Sequence, residues 1–346
     1  MEAAGGTVLV TGGSGFLGGW CLMEVLRRGY RARTTLRNPA REPEVRSMLA
    51  PEVDVGDRLS VSQADLLSDD GWEQAVEGCD YVLHVASPFP PSQPKDPDEL
   101  IVPAREGTLR VLRAGLDAGV KRVVVTSSIA AVRNAGQPAH QPLTEEDWTD
   151  PDNPGLTPYA RSKTIAEQAA WALVRERDQA DRLTTVNPGA IIGPVLSDDR
   201  SYSLQAIERM LDGMPGVPRL GFNFVDVRDV AALQAIAMSS TEAAGERLIA
   251  AGRWMWMADI AEILRERLGD RAAKVPTRTV PNVLVRAMSV FDTDLRSITG
   301  DLGHKGVASD EKARTRLDWT PRPSEETIVD TAESLLERKA VAETAA

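Results

Sequence analysis

The chain has 346 residues, 42% of them hydrophobic and 26% charged, which suits one large globular domain or two modest ones with ample core. Its net charge of −11 leaves no basic surplus for nucleic-acid phosphates or an anionic membrane, though a local phosphate pocket is compatible with it. Cys21 and Cys79 form no disulfide framework, His84, His140 and His304 have no zinc spacing, and no apolar run reaches transmembrane length, so no metal and no membrane partner are expected.

Thr7 to Val10 reads as a buried strand, which leaves no room for a signal peptide and points to the cytoplasm. Gly12, Gly15 and Gly18 follow, also in the offset form Gly13-x-Gly15-x-x-Gly18, and then a helix-period run from Phe16 to Leu26 ending at Gly29. A strand turning tightly into a helix gathers unpaired N–H groups and the positive end of the helix dipole at one point. Only glycine lets the backbone approach a pyrophosphate held there.

Tyr30 to Leu36 is a second strand. Where a free ribose 2′-hydroxyl calls for an acid, about 20 residues past the glycines, this chain has Arg37, with Arg41 close behind. A carboxylate would repel a 2′-phosphate and a guanidinium grips one, so NADP(H) is favoured over NAD(H). A third strand, Arg58 to Gln63, leads to Asp65, a partner for the adenine amino group or a helix N-cap. Gly71 to Val76 is helical, and Asp80 to Ala86 is a fourth strand in which His84 reads as a packed core residue. Small Ala86 and Ser87 at its end would let a dinucleotide lie across the sheet edge. Residues 87–97 hold five prolines and form an irregular loop over that crevice.

A long helix, Asp98 to Ala118, precedes the fifth strand, Lys121 to Thr126, which lands on Ser127 and Ser128. Residues 133–157 form a long loop, and Thr157-Pro158 opens a helix carrying Tyr159 and Lys163. Four residues apart, these two face the same way. An ammonium beside a phenol should lower its pKa, making Tyr159 a workable general acid, with Ser128 holding the carbonyl oxygen. Leu183 to Asn187 is strand six, reaching Pro188 and Gly189.

The alternation of strands and helices predicts an α/β fold with a doubly wound, Rossmann-type parallel sheet and a smaller, mostly helical C-terminal substrate lobe. We expect residues 1–190 to form the nucleotide domain, with 222–250 returning to its sheet, and residues 191–221 and 251–346 to form the lid lobe. The later elements read as a strand from Phe222 to Val227, a short strand from Leu248 to Ala250 and helices over Asp229–Met238, Met257–Leu268, Val283–Ile298, Asp310–Leu317 and Glu325–Arg338, with Ala340 to Ala346 frayed.

Several stretches resemble the extended short-chain dehydrogenases/reductases. They are Thr11 to Gly18, Asp65-Leu66, His84 to Pro88, Thr126 to Ser128 and Tyr159-Ala160-Arg161-Ser162-Lys163. Thr35 to Pro39, Ser162 to Trp171, Asn187 to Pro194, Phe224 to Val230 and Leu317 to Pro323 resemble the branch of dihydroflavonol, cinnamoyl-CoA and aldehyde/ketone reductases. The resemblance implies a Ser128–Tyr159–Lys163 triad. It also implies NADP(H) contacts at Arg37 and in the glycine loop, at Gly12, Ser14, Gly15, Phe16, Leu17 and Gly18. Arg41, Asp65, Leu66, Ala86, Ser87, Thr126, Tyr159 and Lys163 are expected to complete the cofactor site. The backbone at Pro188, Gly189 and Ile191 would meet the carboxamide. Val102 stands before Pro103 where the branch often has a polar residue, and Arg133, Asn134 and Trp148 depart from the flavonoid enzymes. The resemblance therefore speaks to carbonyl chemistry rather than to one substrate.

The expected activity is NADPH-dependent reduction of a small carbonyl compound by a monomer or homodimer. The lid helices are expected to carry Met210, Met214, Trp254, Met255, Trp256 and Met288, which would suit an apolar or aromatic substrate, or serve as inter-lobe core. A nucleotide-sugar epimerase or dehydratase, and a non-catalytic NADP-sensing protein, are the alternatives.

Overall fold

The computed structural model describes residues 5–88, 96–133, 141–197, 203–290, 296 and 298–345. At its centre is a seven-stranded sheet built from β1 (Thr7–Thr11), β2 (Arg31–Leu36), β3 (Leu59–Gln63), β4 (Tyr81–His84), β5 (Arg122–Thr126), β6 (Leu183–Pro188) and β10 (Arg247–Ala250). The spatial order is β3-β2-β1-β4-β5-β6-β10, with every pairing parallel. Strand order therefore reverses between β1 and β4, where open α/β sheets bind ligands beyond their strand ends. Thr11 pairs with His84 at that place.

Helices cover both faces of the sheet. On one side α1 (Phe16–Arg27) packs against α7 (Val227–Ser239); on the other α4 (Asp98–Asp117) packs against α5 (Pro158–Glu176). The first pair shares a cluster with Leu22, Met23, Leu233 and Val230, and the second shares one with Leu112, Val174 and Leu183. Strands such as VLV in β1 and VVV in β5 are continuous apolar runs because both of their faces are buried. Cys21 and Cys79 are both buried and unpaired, and burial pushes the Cys21 thiol up.

The C-terminal third departs from expectation in instructive places. The segment 222–250 divides: β10 joins the edge of the large sheet, whereas β9 (Gly221–Asp226) enters a small sheet between β7 (Ala190–Ile192) and β11 (Trp254–Trp256). Trp254, Met255 and Trp256 thus lie on a strand, not on a lid helix. The helix expected from Val283 is observed over Asn282–Met288, and residues 291–295 and 297 of the expected span lie outside the described residues. The terminal helix runs Ser324–Ala345, so the end expected to fray continues the helix. A helix α2 (Glu42–Leu49), not anticipated from the sequence, buries only Val45 and Leu49.

Candidate active site

The site grows from the turn after β1. Gly12 has a φ of 72°, its carbonyl accepts the Gly15 N–H at 3.0 Å, and a Cβ built on Gly18 would lie 2.0 Å from the Gly12 oxygen. Gly13 is held by its own N–H, which donates to Thr34 Oγ1 at 3.1 Å. Gly12 also passes so near Ala86 that a Cβ would sit 3.1 Å from the Ala86 Cα. No acidic residue stands in the first turn of α1, so the positive end of its dipole is uncompensated there. Ser14 and Gly15 are partly exposed on this turn, while Phe16, Leu17 and Gly18 are buried. The cradle suits a diphosphate.

Arg37 is exposed directly after β2, and no described residue pairs with its guanidinium. Arg41 is also exposed but engages Glu44 at 2.8 Å, so it would have to exchange a partner to meet a ligand. The carboxylate of Asp65 accepts the Leu67 N–H at 3.0 Å, a turn of its own rather than the expected cap of the following helix, which Gly71 opens. Leu66 packs beside Gly107 of α4. Ala86 and Ser87 are partly exposed past the end of β4. The rest of the proline-rich loop, residues 89–95, and also Asn134 and His140, lie outside the described residues.

Beneath the crevice, Thr11 Oγ1 accepts the N–H groups of Val85 at 3.1 Å and Ala86 at 3.0 Å and lies 2.9 Å from His84 Nδ1. With its lone pairs so engaged, the hydroxyl donates to Nδ1, which makes His84 the neutral tautomer protonated at Nε2. His84 is 2% exposed, and burial followed by the nearby Lys163 charge holds its pKa down at about 3. It is a packed structural histidine, as expected.

Ser128, Tyr159 and Lys163 converge at the carboxyl ends of β5 and β6. Thr157 caps α5 by accepting the Ala160 N–H at 3.2 Å, and Pro158 occupies the first turn, which fixes where Tyr159 enters. The Tyr159 phenol is hydrogen-bonded to the Ser128 side chain. Ser128 also accepts the Ala130 N–H at 3.1 Å, pinning the turn that follows β5. Lys163 Nζ donates to the carbonyl of Thr126 at 3.4 Å. A small cavity opens here, in which the polar side chains of His84, Ser87, Thr108, Ser127, Lys163 and Glu167 meet an otherwise mostly apolar lining.

The electrostatics differ from the sequence expectation. Burial raises the Tyr159 phenol above its ordinary value, with only the Ser128 hydrogen bond opposing it. The net lowering expected from Lys163 is absent because burial outweighs it, and burial acts on the lysine as well, drawing it down to about 8 against the charge of Glu167. Pro188 ends β6, and Gly189 donates to Ala250 at 2.9 Å while lying too close to the Asn223 carbonyl for any side chain. Ile191 stands partly exposed on β7.

Of the side chains expected to face substrate, Met210 and Met255 are core at 0% and 2% exposure. Trp254 and Trp256 pack edge to face, with Lys305 and Arg219 over their rings. The residues that sequence reasoning missed are Glu167, Thr185, Asn187 and Arg247, which form one buried polar cluster behind Ser128. The four-residue spacing from Tyr159 to Lys163 to Glu167 was its only signal.

The NAD dependent epimerase/dehydratase family model matches residues 8–251. Cinnamoyl-CoA reductase CAD2 of Medicago truncatula is 37% identical over 76% of this chain and 81% of its own. Tetraketide alpha-pyrone reductase 2 of Arabidopsis thaliana is 33% identical over 75% and 82%. The chain belongs to the NAD dependent epimerase/dehydratase family, the extended short-chain dehydrogenases/reductases. A putative uncharacterized oxidoreductase of Schizosaccharomyces pombe extends the likeness, at 30% identity, to 97% of this chain and 98% of its own. The yeast methylglyoxal/isovaleraldehyde reductase Gre2, solved with NADPH, superposes with a TM-score of 0.81 at 24% identity, covering 96% of this chain and 99% of its own, a likeness of fold. Within this family the seven-stranded parallel sheet and the glycine turn are the expected frame, and no described helix is long and apolar enough to cross a membrane.

Proposed function

We propose that the chain is an NADP(H)-dependent reductase that converts ketone or aldehyde carbonyls to alcohols. The observation that carries this reading is the Ser128–Tyr159 hydrogen bond, one helical turn from Lys163, beside a glycine cradle at the switch point of the sheet. The names of the relatives, reductases of cinnamoyl-CoA and of a tetraketide pyrone, support it, as does the NADPH bound to the yeast aldehyde reductase.

In this reading the turn from Gly12 to Gly18, with Ser14, Phe16 and Leu17, holds the diphosphate against the start of α1. Arg37 meets the 2′-phosphate, joined by Arg41 when it leaves Glu44. Asp65 and Leu66 flank the adenine, while Ala86, Ser87 and Thr126 floor the crevice. Lys163 reaches the nicotinamide ribose, and the backbone at Pro188, Gly189 and Ile191 meets the carboxamide. Bound NADPH would supply the hydride.

Ser128 donates a hydrogen bond to the substrate oxygen and holds it against the phenol. Because burial keeps Tyr159 protonated at neutral pH, its proton is available as negative charge develops on that oxygen. Lys163, at about 8, still carries its ammonium at pH 7, and that charge compensates the phenolate left behind. The lobe formed by residues 191–221 and 251–346 would close over the carbonyl compound.

The test is a screen of aliphatic and aromatic ketones, aldehydes and β-keto esters, following cofactor absorbance with NADPH and NADH at equal concentration. Consumption of NADPH in preference to NADH, with alcohol as product, is the expected result. Tight NADPH binding with no turnover across the panel would favour a sensor, and stoichiometric NAD carried through purification would favour an epimerase.

A further inference from the structure

One turn beyond Lys163, the fully buried carboxylate of Glu167 accepts four donors. Its Oε2 takes Ser127 Oγ at 2.5 Å and Asn187 Nδ2 at 2.7 Å, and its Oε1 takes Thr185 Oγ1 at 2.9 Å and Arg247 Nε at 2.7 Å. A carboxylate offers about four lone-pair sites, so this one is saturated. Three of the donors run on into the serine loop. Ser127 precedes Ser128 in the chain, and Asn187 Nδ2 also donates to the Ser128 carbonyl at 3.1 Å. Arg247 donates through Nη2 to the carbonyl of Ala131 at 3.3 Å, closing the turn that Ser128 opens, and through Nη1 to the carbonyls of Glu145 and Asp147. Its guanidinium is stacked 3.6 Å from the centre of the Trp148 ring.

We propose that Glu167, anchored by Arg247, is the positioning residue of this site: it ties the helix bearing Tyr159 and Lys163 to the loop bearing Ser128 and so sets the approach of hydroxyl to phenol. The inference rests on the reading of Ser128, Tyr159 and Lys163 as the reacting groups. A buried ion pair is a poor source of net stability, because desolvation offsets the attraction and apolar packing would hold α5 to the sheet as well. What the ionic cluster adds is fixed geometry on the serine loop and a negative charge on the Lys163 side of the helix.

The surroundings make that charge count. From β4, Lys163 faces the neutral His84; from α5, Tyr159 and Glu167; and from β5, the Thr126 carbonyl. Helix α4 presents only Ala104 and Thr108 to this cavity, and Arg247 of β10 stands behind Glu167. Glu167 is therefore the anion opposing the desolvation of the ammonium, and its loss should let the lysine titrate at lower pH.

The experiment compares Glu167→Gln with wild type as full chains. For a carbonyl found in the screen, kcat should fall about 10- to 100-fold, the cost of slight misplacement of reacting groups. KM for the carbonyl and for NADPH should stay within about threefold, since neither ligand touches Glu167. The alkaline limb of the kcat profile should move to lower pH. Independently of activity, NMR titration of lysine Cε in the cofactor-free protein should place Lys163 near 8 in wild type and lower in Glu167→Gln, with Lys163→Arg identifying the resonance. If wild type reduces nothing, the proposed function fails while the titration still tests the charge on Lys163. A folded Glu167→Gln variant with wild-type kcat, pH profile and lysine midpoint overturns the inference. Should that variant not fold, Ser127→Ala removes one tie without leaving a charge unpaired; a kcat drop of about fivefold at constant KM is expected, and a wild-type kcat there overturns it equally.

Discussion

The backbone of Gly18 lies against the carbonyl of Gly12, with 2.0 Å between that oxygen and the place a Cβ would take. The obstacle is backbone, which cannot rotate away as a side chain would. Gly18→Ala should therefore cost about 1–3 kcal/mol of stability and push the turn outward. NADPH affinity should fall by at least about tenfold, or 1.4 kcal/mol. Gly115→Ala, whose new methyl would meet the Val123 side chain at 3.0 Å away from the cofactor crevice, is the milder control. Thermal melting and a fluorescence titration with NADPH check both. Wild-type affinity in a folded Gly18→Ala protein would show that this turn holds no diphosphate.

Arg37 stands exposed and unpaired among the described residues at the end of β2, while Arg41 is engaged by Glu44. Arg37→Ala should weaken NADPH binding by about 1.5–3 kcal/mol, the range for a hydrogen bond to a charged group, and leave NADH binding within about twofold. Arg41→Ala should do much less, because its guanidinium already has a partner. Equal losses for both cofactors at Arg37 would contradict a 2′-phosphate contact.

Tyr159→Phe removes the proton donor and keeps the ring. The expected result is a loss of about 10²- to 10⁴-fold in kcat, the usual weight of general acid catalysis, with NADPH binding within a few-fold of wild type. Ser128→Ala should also lower kcat and in addition free the turn it caps at Ala130. Stopped-flow measurement separates the chemical step from cofactor binding. A Tyr159→Phe enzyme retaining most of its activity would remove the phenol from the mechanism.

The acid limb of stability should carry the signature of His84. Its pKa is about 3 in the folded protein against 6.5 ordinarily, so below pH 6.5 the unfolded chain takes up a proton that the folded one refuses. Stability contributed by the neutral ring is thus complete above pH 6.5 and is lost as the pH falls from 6.5 toward 3. At about 1.4 kcal/mol per pH unit, wild type should lose roughly 3 kcal/mol from this group between pH 6.5 and about 4.5. His84→Asn should be less stable at pH 7, through lost packing and the lost Thr11 bond, yet the gap should narrow in acid. Denaturant melts at matched ionic strength test this, and a gap of constant width would mean that His84 titrates normally.

How much of this was legible in advance depended on the range of the interaction. The strand–glycine–helix opening, the apolar runs of β1 and β5, and the face shared by Tyr159 and Lys163 are set by neighbours within a few residues. Short-range periodicity and turn chemistry are the properties a sequence displays directly. The small sheet departs from the sequence expectation because β9 pairs with β7 and β11, and such partners are chosen by packing across the molecule. In the same way the Asp229 carboxylate binds Arg322 and its carbonyl accepts the Trp319 indole N–H, a junction of two motifs some ninety residues apart.

The chain alone thus determined the strand–glycine–helix opening, the placing of an arginine rather than an acid at position 37 and the face shared by Tyr159 and Lys163, because each is written in local spacing and residue chemistry. Tertiary structure decided the rest. It drew Glu167 and Arg247 into one dry cluster, kept His84 neutral, and reversed the expected effect on Tyr159, since desolvation depends on everything packed around a group and no spacing along the chain encodes it.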